Sequence, residues 1–233
     1  MNARFQAINR PARNTAVWVQ LDDRYKSRRN REVKSSKPRI LWIKGKPASG
    51  KSTIMKSMME QIRFETQATA VKYDREVNLT ASFFFNTKGV RLEKTRLGLY
   101  RHLVHQLVSS DHRVRQWFLD LCEQHTPNPE TAGVQEAAVY RWHEDELEAF
   151  LENVYGKHLL ENTKTVFWID ALDECQNADE TDATSSEARI VVQFFAALLE
   201  IASLQGNSLD ICITGRSNLA LELHQAWEIV VDQ

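Results

Sequence analysis

Short runs of apolar residues recur along the chain, and longer segments with apolar positions at helical spacing lie between them. The runs are rich in residues that favour strands, and they are largely apolar throughout rather than alternating. Strands of that kind separated by helices are typical of a parallel sheet with both faces covered. The pattern predicts an α/β fold in three layers, with helices on both faces of about five parallel strands. The predicted strands are 39–44, 80–85, 165–169, 209–214 and 228–231.

The segments between these runs are predicted to form amphipathic or buried helices. They cover 51–65, 97–107, 112–122, 136–160 and 187–204. Asp111 is a residue type that caps the N-terminus of a helix, and TPNPETAG at 126–133 interrupts the helical pattern. The most apolar stretch, 190–204, is short for a membrane span and contains Gln193 and Glu200. It is therefore predicted to be a buried helix, and a membrane is not an expected partner.

The charge of the chain is nearly balanced overall but is segregated locally. Apolar residues make up 42 % and charged residues 26 %, which is typical of a globular protein, and the formal net charge is −1. Residues 24–39 contain eight basic residues and one acid, whereas 170–187 contain seven acids and no Lys or Arg. The basic run fits either a solvated linker or an anion-facing surface. No nucleic-acid recognition motif accompanies it, so nucleic acid is not an expected partner.

The cysteines and the N-terminus indicate the compartment. Cys122, Cys175 and Cys212 are far apart and odd in number, which does not favour disulfides. The first ten residues contain no apolar stretch of the kind found in signal peptides. These features predict a cytoplasmic protein, organised as an N-terminal basic segment over 1–38 and one core domain over 39–233.

A glycine-containing motif follows the first predicted strand. GKPASGKS at 45–52 fits the phosphate-binding pattern G-x-x-x-x-G-K-[ST] between a strand and a helix. Its glycines let backbone N–H groups turn toward a phosphate, and the following helix presents its positive N-terminus to the same anion. The strand that precedes the motif is expected to be central in the sheet. The predicted nucleotide-binding residues are Gly45, Lys46, Pro47, Ala48, Ser49, Gly50, Lys51, Ser52 and Thr53.

The motif and the stretch TVFWIDALDEC at 165–175 together predict a magnesium site. Lys51 is expected to reach the β- and γ-phosphates of ATP or GTP, and the Ser52 hydroxyl to take a Mg²⁺ position. In P-loop proteins a second strand lies beside the first and ends in an acid near the metal. Asp170 ends the strand at 165–169, so Ser52 and Asp170 are the predicted Mg²⁺ ligands.

Three further charged residues are candidates for hydrolysis. Asp173 and Glu174 lie just past the metal acid, where one of them can orient or deprotonate an attacking water; an acidic turn that caps a helix is the alternative. Arg216 follows an apolar strand and can sense or neutralise the γ-phosphate, unless it is an ordinary surface residue. The candidates for contacts to the base, expected from the segment before the first strand, are Thr15, Val17 and Trp18.

These motifs together resemble the NACHT domains of signal-transducing NTPases, especially the fungal NOD-like group with a nephrocystin 3-like N-terminal module. ILWIKGKPASGKSTIMK resembles the phosphate loop of that family, and VFWIDALDEC resembles its Walker B segment. Ala171 after the first Asp, with the acid pair displaced to Asp173 and Glu174, resembles a distinguishing NACHT feature. RWHEDELEAFLENV and CITGR are similar to the helix before the metal strand and to the sensor strand.

The resemblance implies a signalling switch. Such a switch binds ATP or GTP with Mg²⁺ and hydrolyses it slowly. The nucleotide cycle controls its conformation and its self-association, and the signal passes to a partner that the sequence does not identify. In the fungal group the implied role is non-self recognition or programmed cell death. No N-K-x-D guanine motif occurs in the chain, which favours ATP.

Two departures and two alternatives accompany this interpretation. Ala48 stands where many relatives have Gly, and a small side chain is expected to be tolerated. In the family a winged-helix region and sensor repeats follow the core, so the locked ADP state is not expected from a chain that stops at Gln233.

One alternative is a P-loop kinase or transport-type ATPase, although an arginine-rich lid and an L-S-G-G-Q helix are missing. The other is a nucleotide-binding scaffold without useful hydrolysis.

Overall fold

The computed structural model describes residues 3–9, 17–23, 26, 39–70, 78–125, 142–157, 159–161, 163–176, 184–216 and 226–231. The strands within these ranges form one sheet: β1 (Ile40–Gly45), β2 (Asn78–Phe84), β3 (Lys164–Asp170), β4 (Ser208–Gly215) and β5 (Ala226–Val231). Their order is β2-β3-β4-β1-β5, and all four pairings are parallel. The predicted parallel sheet of about five strands is confirmed.

The helices of the described residues lie mostly where the hydrophobic pattern predicts them. They are α1 (Ala3–Ala7), α2 (Val17–Leu21), α3 (Lys51–Ala70), α4 (Arg96–Ser110), α5 (His112–His125), α6 (Glu144–Gly156) and α7 (Thr184–Leu204). Short 3₁₀ turns occur at Arg91–Glu93 and Leu172–Glu174. The Asp111 carboxylate accepts from the backbone N–H groups of Arg113 and Val114 at 2.8 and 3.2 Å, which confirms it as the cap of α5. None of the helices in the described ranges combines the length and the apolar character that crossing a membrane requires.

The sheet is covered on both faces because alternate side chains of its strands enter two separate hydrophobic clusters. In β1, Ile40 and Trp42 pack into one cluster, and Leu41 and Ile43 pack into the other. Side chains of α4, α5, α6 and α7 complete the first cluster, and side chains of α1, α2 and α3 complete the second. The fold is therefore the predicted three-layer αβα sandwich.

The order of the strands differs from the prediction in two respects. The strand predicted to lie beside β1 is β3, but β4 separates the two and pairs with both. The central strand is β4, which is buried from Leu209 to Gly215, whereas β1, which was predicted to be central, lies between β4 and the edge strand β5. An apolar pattern shows that a strand has two covered faces, but not which strand lies next to it. Because all the strands are parallel, the carboxyl ends of β1, β3 and β4 still meet at one edge.

Some helix boundaries differ from those predicted. The helix predicted over 136–160 begins at Glu144 and ends at Gly156, and residues 136–141 lie outside the described ranges. The backbone of His143 is extended, and its N–H donates to the Glu146 carboxylate at 2.7 Å. Glu146, in the first turn, therefore caps the N-terminus of α6. α3 extends beyond the predicted end at 65, and α7 begins at Thr184 rather than at 187.

The N-terminal helix α1 packs on the same face of the sheet as α3. Phe5 is 7 % exposed, and its ring meets the edge of the Phe84 ring of β2 at a centroid distance of 5.1 Å. The Lys56 amine of α3 donates to the carbonyl oxygens of Phe5 and Ile8 at 3.0 and 2.7 Å. Lys56 itself is 7 % exposed, so this contact lies inside the protein. Helix α1 is thereby joined to the helix that follows the phosphate-binding motif.

Candidate functional site

A cavity of about 360 Å³ opens at the edge of the sheet where β1, β3 and β4 end. The motif residues 47–53 form one side of it, and the turns that follow β3 and β4 form the other. Helix α1 closes a third side. The side chains from outside the motif that line the cavity include Arg4, Ile8, Asn9, Asp173, Glu174, Thr214 and Arg216. The sequence motifs singled out above therefore converge on one place.

The backbone of the motif adopts conformations that depend on small residues. Ala48 has φ 63° and Gly50 has φ 87°, so both lie in the left-handed region. A Cβ on Gly45 would lie 2.6 Å from the carbonyl oxygen of Val231 and 2.7 Å from the Ser49 hydroxyl. Only glycine fits there, because the end of β5 approaches the backbone too closely for a side chain. Turns of this kind direct successive N–H groups inward, which makes a concave site for an anion.

The Lys51 side chain folds back over the motif. Its amine donates to the carbonyl oxygens of Gly45 and Lys46 at 2.8 and 2.5 Å, and it lies 3.4 Å from the Ser49 hydroxyl. Burial lowers the pKa of the Lys51 amine below its ordinary value, although the negative charges of Asp173 and Asp170 oppose that effect. The amine is thus held at the rim of the cavity, on the acceptors of the loop itself.

Asp170 ends β3 in full burial, with 0 % of its surface exposed. Its Oδ1 accepts from the Thr214 hydroxyl at 2.6 Å, and the same hydroxyl accepts from the Ala171 N–H at 2.9 Å. Burial raises the pKa of Asp170, while hydrogen bonds from Thr214 and Ser52 and the charge of Arg4 oppose the rise. Asp170 Oδ2 has no hydrogen-bond partner among the described residues.

The predicted metal ligands therefore lie near each other, since the Ser52 hydroxyl is close enough to lower the pKa of Asp170. A hydroxyl and an orphaned, buried carboxylate oxygen are the oxygen donors that Mg²⁺ prefers, and Mg²⁺ commonly completes its shell with substrate phosphates and water. The two residues fit such an ion. Within the described ranges, no group of three or more His, Cys, Asp or Glu side chains is arranged to hold a metal by itself.

The acid pair after β3 is divided between two arginines. Ala171 has φ 54° and begins the 3₁₀ turn that turns the chain away from the strand. The Asp173 carboxylate accepts from Arg216 Nε at 2.9 Å, at a point where Arg216 is 54 % exposed. The Glu174 carboxylate accepts from Arg4 Nη1 at 2.5 Å.

Glu174 is also tied to the loop after β2. Its Oε2 accepts from the Thr87 N–H at 3.0 Å and from the Thr87 hydroxyl at 3.3 Å. Burial would raise the pKa of Glu174, but the hydrogen bonds from Arg4 and Thr87 and the charge of Arg4 outweigh it and hold that pKa below its ordinary value. Glu174 is therefore an ionised carboxylate at neutral pH.

Sequence reasoning missed three residues of the site: Arg4, Thr87 and Thr214. Thr214 lies in the CITGR stretch two residues before Arg216, so its place at the end of a strand was a usable signal. Arg4 and Thr87 carry no motif, and they reach the site only through the packing of α1 and the loop after β2.

Of the candidates for base contacts, the structure describes the side chain of Trp18 alone. Thr15 lies outside the described residues, and nothing is described of the Val17 side chain. Trp18 is 42 % exposed and does not line the cavity.

Comparison with known proteins identifies a family. The sequence model of the family described as "Nephrocystin 3, N-terminal" matches residues 14–216. None of the curated proteins matches the chain. A solved structure of Cdc6p from Pyrobaculum aerophilum is similar with a TM-score of 0.49 and 13 % identity. That alignment covers 96 % of this chain and 48 % of the Cdc6p chain, so this chain spans about half of its length.

Proposed function

The chain belongs to the nephrocystin 3 N-terminal family, and we propose that it is a nucleotide-binding switch that binds ATP or GTP with Mg²⁺ and hydrolyses it slowly. The observation that carries this proposal is the meeting of the phosphate-binding motif with Asp170. The motif follows β1, Asp170 ends β3, and the Ser52 hydroxyl at the start of α3 is close enough to the Asp170 carboxylate to lower its pKa. A strand–loop–helix motif facing a buried carboxylate is the arrangement that binds a triphosphate and its metal in P-loop proteins.

The motif would hold the phosphates mainly through its backbone. The left-handed residues Ala48 and Gly50 shape the loop, and α3 directs its positive end at the same point. The Lys51 amine would leave the carbonyl oxygens of Gly45 and Lys46 for the phosphate oxygens. This exchange replaces hydrogen bonds from the ammonium group to neutral carbonyl oxygens with bonds to negatively charged oxygens, where the attraction between opposite charges is added.

Ser52 and Asp170 would hold the Mg²⁺, with Thr214 fixing the Asp170 carboxylate in place. The ion, when bound, neutralises charge on the phosphate oxygens. The hydrogen bond of the Ala171 N–H to Thr214 fixes the hydroxyl in turn, so the orientation of Asp170 is set by two elements, β3 and β4.

Hydrolysis would use the acids that follow β3. A water oxygen bonds to the γ-phosphorus, the bond from that phosphorus to the β–γ bridging oxygen breaks, and the water proton passes to Glu174. Glu174 suits this role because it is ionised and lines the cavity. Asp173 would hold Arg216 at the cavity, where the guanidinium can neutralise charge on the γ-phosphate.

The cellular part of the proposal rests on the NACHT resemblance. It comprises switching in conformation and self-association, a signalling partner, a cytoplasmic location, and a role in fungal non-self recognition or programmed cell death. Preference for ATP over GTP rests on the missing N-K-x-D motif. One observation favours a second candidate, a nucleotide-binding scaffold: both acids that would activate water are engaged by arginines.

Nucleotide binding and phosphate release test the proposal directly. Fluorescent ATP and GTP analogues are titrated into the wild type and Lys51→Ala, with Mg²⁺ and with EDTA. We expect Lys51→Ala to weaken binding about 100-fold, as loss of a charged hydrogen-bonding group in a phosphate site implies. Lys157→Ala, at an exposed lysine after α6, is the control and should bind like the wild type. A wild type that does not bind either nucleotide with Mg²⁺ would contradict the proposal, and binding without phosphate release would select the scaffold.

A further inference from the structure

We infer that Arg4 is a positioning residue of the nucleotide site, which holds Glu174 in a resting position, restrains hydrolysis and opposes the binding of Mg²⁺. The inference rests on the proposed function, because it concerns the rate of the same hydrolytic step. It assigns the N-terminal helix α1, which lies ahead of the phosphate-binding motif, a direct part in the site. The observations that carry it are the anchoring of α1, the contacts of Arg4, and the position of those contacts relative to Asp170.

Helix α1 is fixed in a defined place, so the position of Arg4 is set by packing. Phe5, the next residue, is buried against Phe84, and the buried Lys56 amine binds the carbonyl oxygens of Phe5 and Ile8. A helix of five residues has little stability of its own, so these tertiary contacts hold it. They direct the Arg4 side chain into the cavity, where 22 % of it remains exposed.

Arg4 binds both Glu174, the acid that would activate water, and the backbone just after β2. Its Nη1 donates to Glu174 Oε2 at 2.5 Å and to the carbonyl oxygen of Phe85. Its Nε lies 3.9 Å from Asp170 Oδ2, the carboxylate oxygen that has no hydrogen-bond partner among the described residues. One guanidinium therefore bridges the predicted metal acid and the predicted base.

The Glu174 oxygen that Arg4 binds is fully engaged. Oε2 accepts from Arg4 and twice from Thr87, through its N–H and its hydroxyl. A carboxylate oxygen with three donors cannot accept a further hydrogen bond from water at that atom without losing one of them. The arrangement thus draws Glu174 toward Thr87 and Arg4, and the charge-assisted bond from Arg4 is the strongest of the three contacts.

Arg4 and a divalent cation would compete for the same carboxylates. A Mg²⁺ at Asp170 Oδ2 would lie within a few ångströms of the guanidinium, where the two positive charges repel each other. Entry of Mg²⁺–nucleotide therefore favours a position of Arg4 away from the acids. Because such coupling is reciprocal, the docked position of Arg4 weakens Mg²⁺ binding by the same factor.

The test compares the full chain with Arg4→Gln and Arg4→Lys. We measure kcat and KM for ATP and the Mg²⁺ concentration that gives half-maximal rate. Arg4→Gln removes the charge and should raise kcat about 10-fold, equivalent to about 1.4 kcal/mol, and lower the Mg²⁺ requirement, with a smaller change in KM. Arg4→Lys keeps a cation at the acids and should behave like the wild type.

Two further variants distinguish a restraint on hydrolysis from a general effect on folding. Gln6→Ala, an exposed position on the same helix, should leave kcat unchanged. Thr87→Val removes one hydroxyl donor to Glu174 without disturbing α1, and it should raise kcat by a smaller factor than Arg4→Gln. The Thr87 variant keeps the inference testable if Arg4→Gln does not fold.

A kcat in Arg4→Gln that is equal to or below that of the wild type would overturn the inference, and so would the absence of turnover in both proteins when both bind nucleotide. If Arg4→Gln does not fold, an unchanged or lower kcat in Thr87→Val has the same meaning. Failure of the proposed function has a different signature, because the wild type would then show no Mg²⁺-dependent nucleotide binding.

Discussion

The two sides of the cavity are built in different ways. The phosphate-loop side comes from one continuous segment, residues 47–53, and it presents backbone N–H groups and Lys51. The acid side is assembled from side chains of separate elements: Arg4, Glu174 and Thr214 line the cavity, and Thr87 and Asp170 are hydrogen-bonded to them. The first side therefore depends on backbone conformation, where an added Cβ is disruptive. The second depends on hydrogen bonds between side chains, where replacement of one oxygen is disruptive.

The largest expected effect is on the acid side. Asp170→Asn keeps the shape of the side chain but removes the charge that would bind Mg²⁺, so we expect phosphate release to fall about 100-fold or more. Nucleotide binding in EDTA should stay nearly unchanged, because the loop side is untouched. Phosphate release and binding titrations with and without Mg²⁺ measure both quantities, and Asp120→Asn on the exposed side of α5 is the control. An equal loss of binding in EDTA would show that the two sides do not act separately.

A smaller effect is expected on the loop side, in stability. Gly45→Ala places a Cβ against the carbonyl oxygen of Val231, which is backbone and has little freedom to move. We expect unfolding free energy to fall by about 1–3 kcal/mol, as overpacking usually costs. Urea denaturation measures this change.

Gly156→Ala is the matched control for that substitution. A Cβ at Gly156 would meet only the Ile201 methyl at 3.8 Å, an ordinary contact. Gly156 ends α6 in helical conformation, so its replacement by alanine should leave the unfolding free energy unchanged or raise it by up to about 1 kcal/mol. Similar losses in the two variants would remove the argument that Gly45 is required by close packing.

The smallest effect is expected to be stabilising. Ala48 has a positive φ, which costs an L-residue about 1–2 kcal/mol, whereas glycine adopts it without strain but loses more entropy on folding. Ala48→Gly should therefore raise the unfolding free energy by about 0.5 kcal/mol. Thermal unfolding tests this, with Ala149→Gly in the exposed part of α6 as a control that should lose about 0.5–1 kcal/mol. A loss of stability in Ala48→Gly would mean that the alanine methyl group makes a useful contact.

The sequence was sufficient for features that lie within one segment. The three-layer sandwich follows from strands that are apolar on both faces, and the cap at Asp111 follows from the residue type at a helix start. The motif at 45–52 and the acids after β3 were recognisable because their spacing is fixed by local chain geometry. Their convergence was predictable too, since parallel strands bring their carboxyl ends to one edge.

Features that depend on packing between distant segments were not predictable. β4 lies between β1 and β3. An apolar pattern shows that a strand is covered on both faces, but it is compatible with several orders of the strands in the sheet. Arg4 is an isolated arginine 166 positions before Asp170 in the chain, with no neighbouring residue that marks it. Only the docking of Phe5 onto Phe84 shows that its side chain reaches the site.

The buried Lys56 amine gives the N-terminal helix a mechanical connection to the phosphate site. Lys51 and Lys56 belong to one helix and are five residues apart, a separation of about 7.5 Å along its axis. The first turn of α3 lines the cavity, and little more than one turn later the same helix binds two carbonyl oxygens at the end of α1. A displacement of the first turn of α3 is therefore expected to move residues 5–8 as well, because Lys56 binds their carbonyl oxygens.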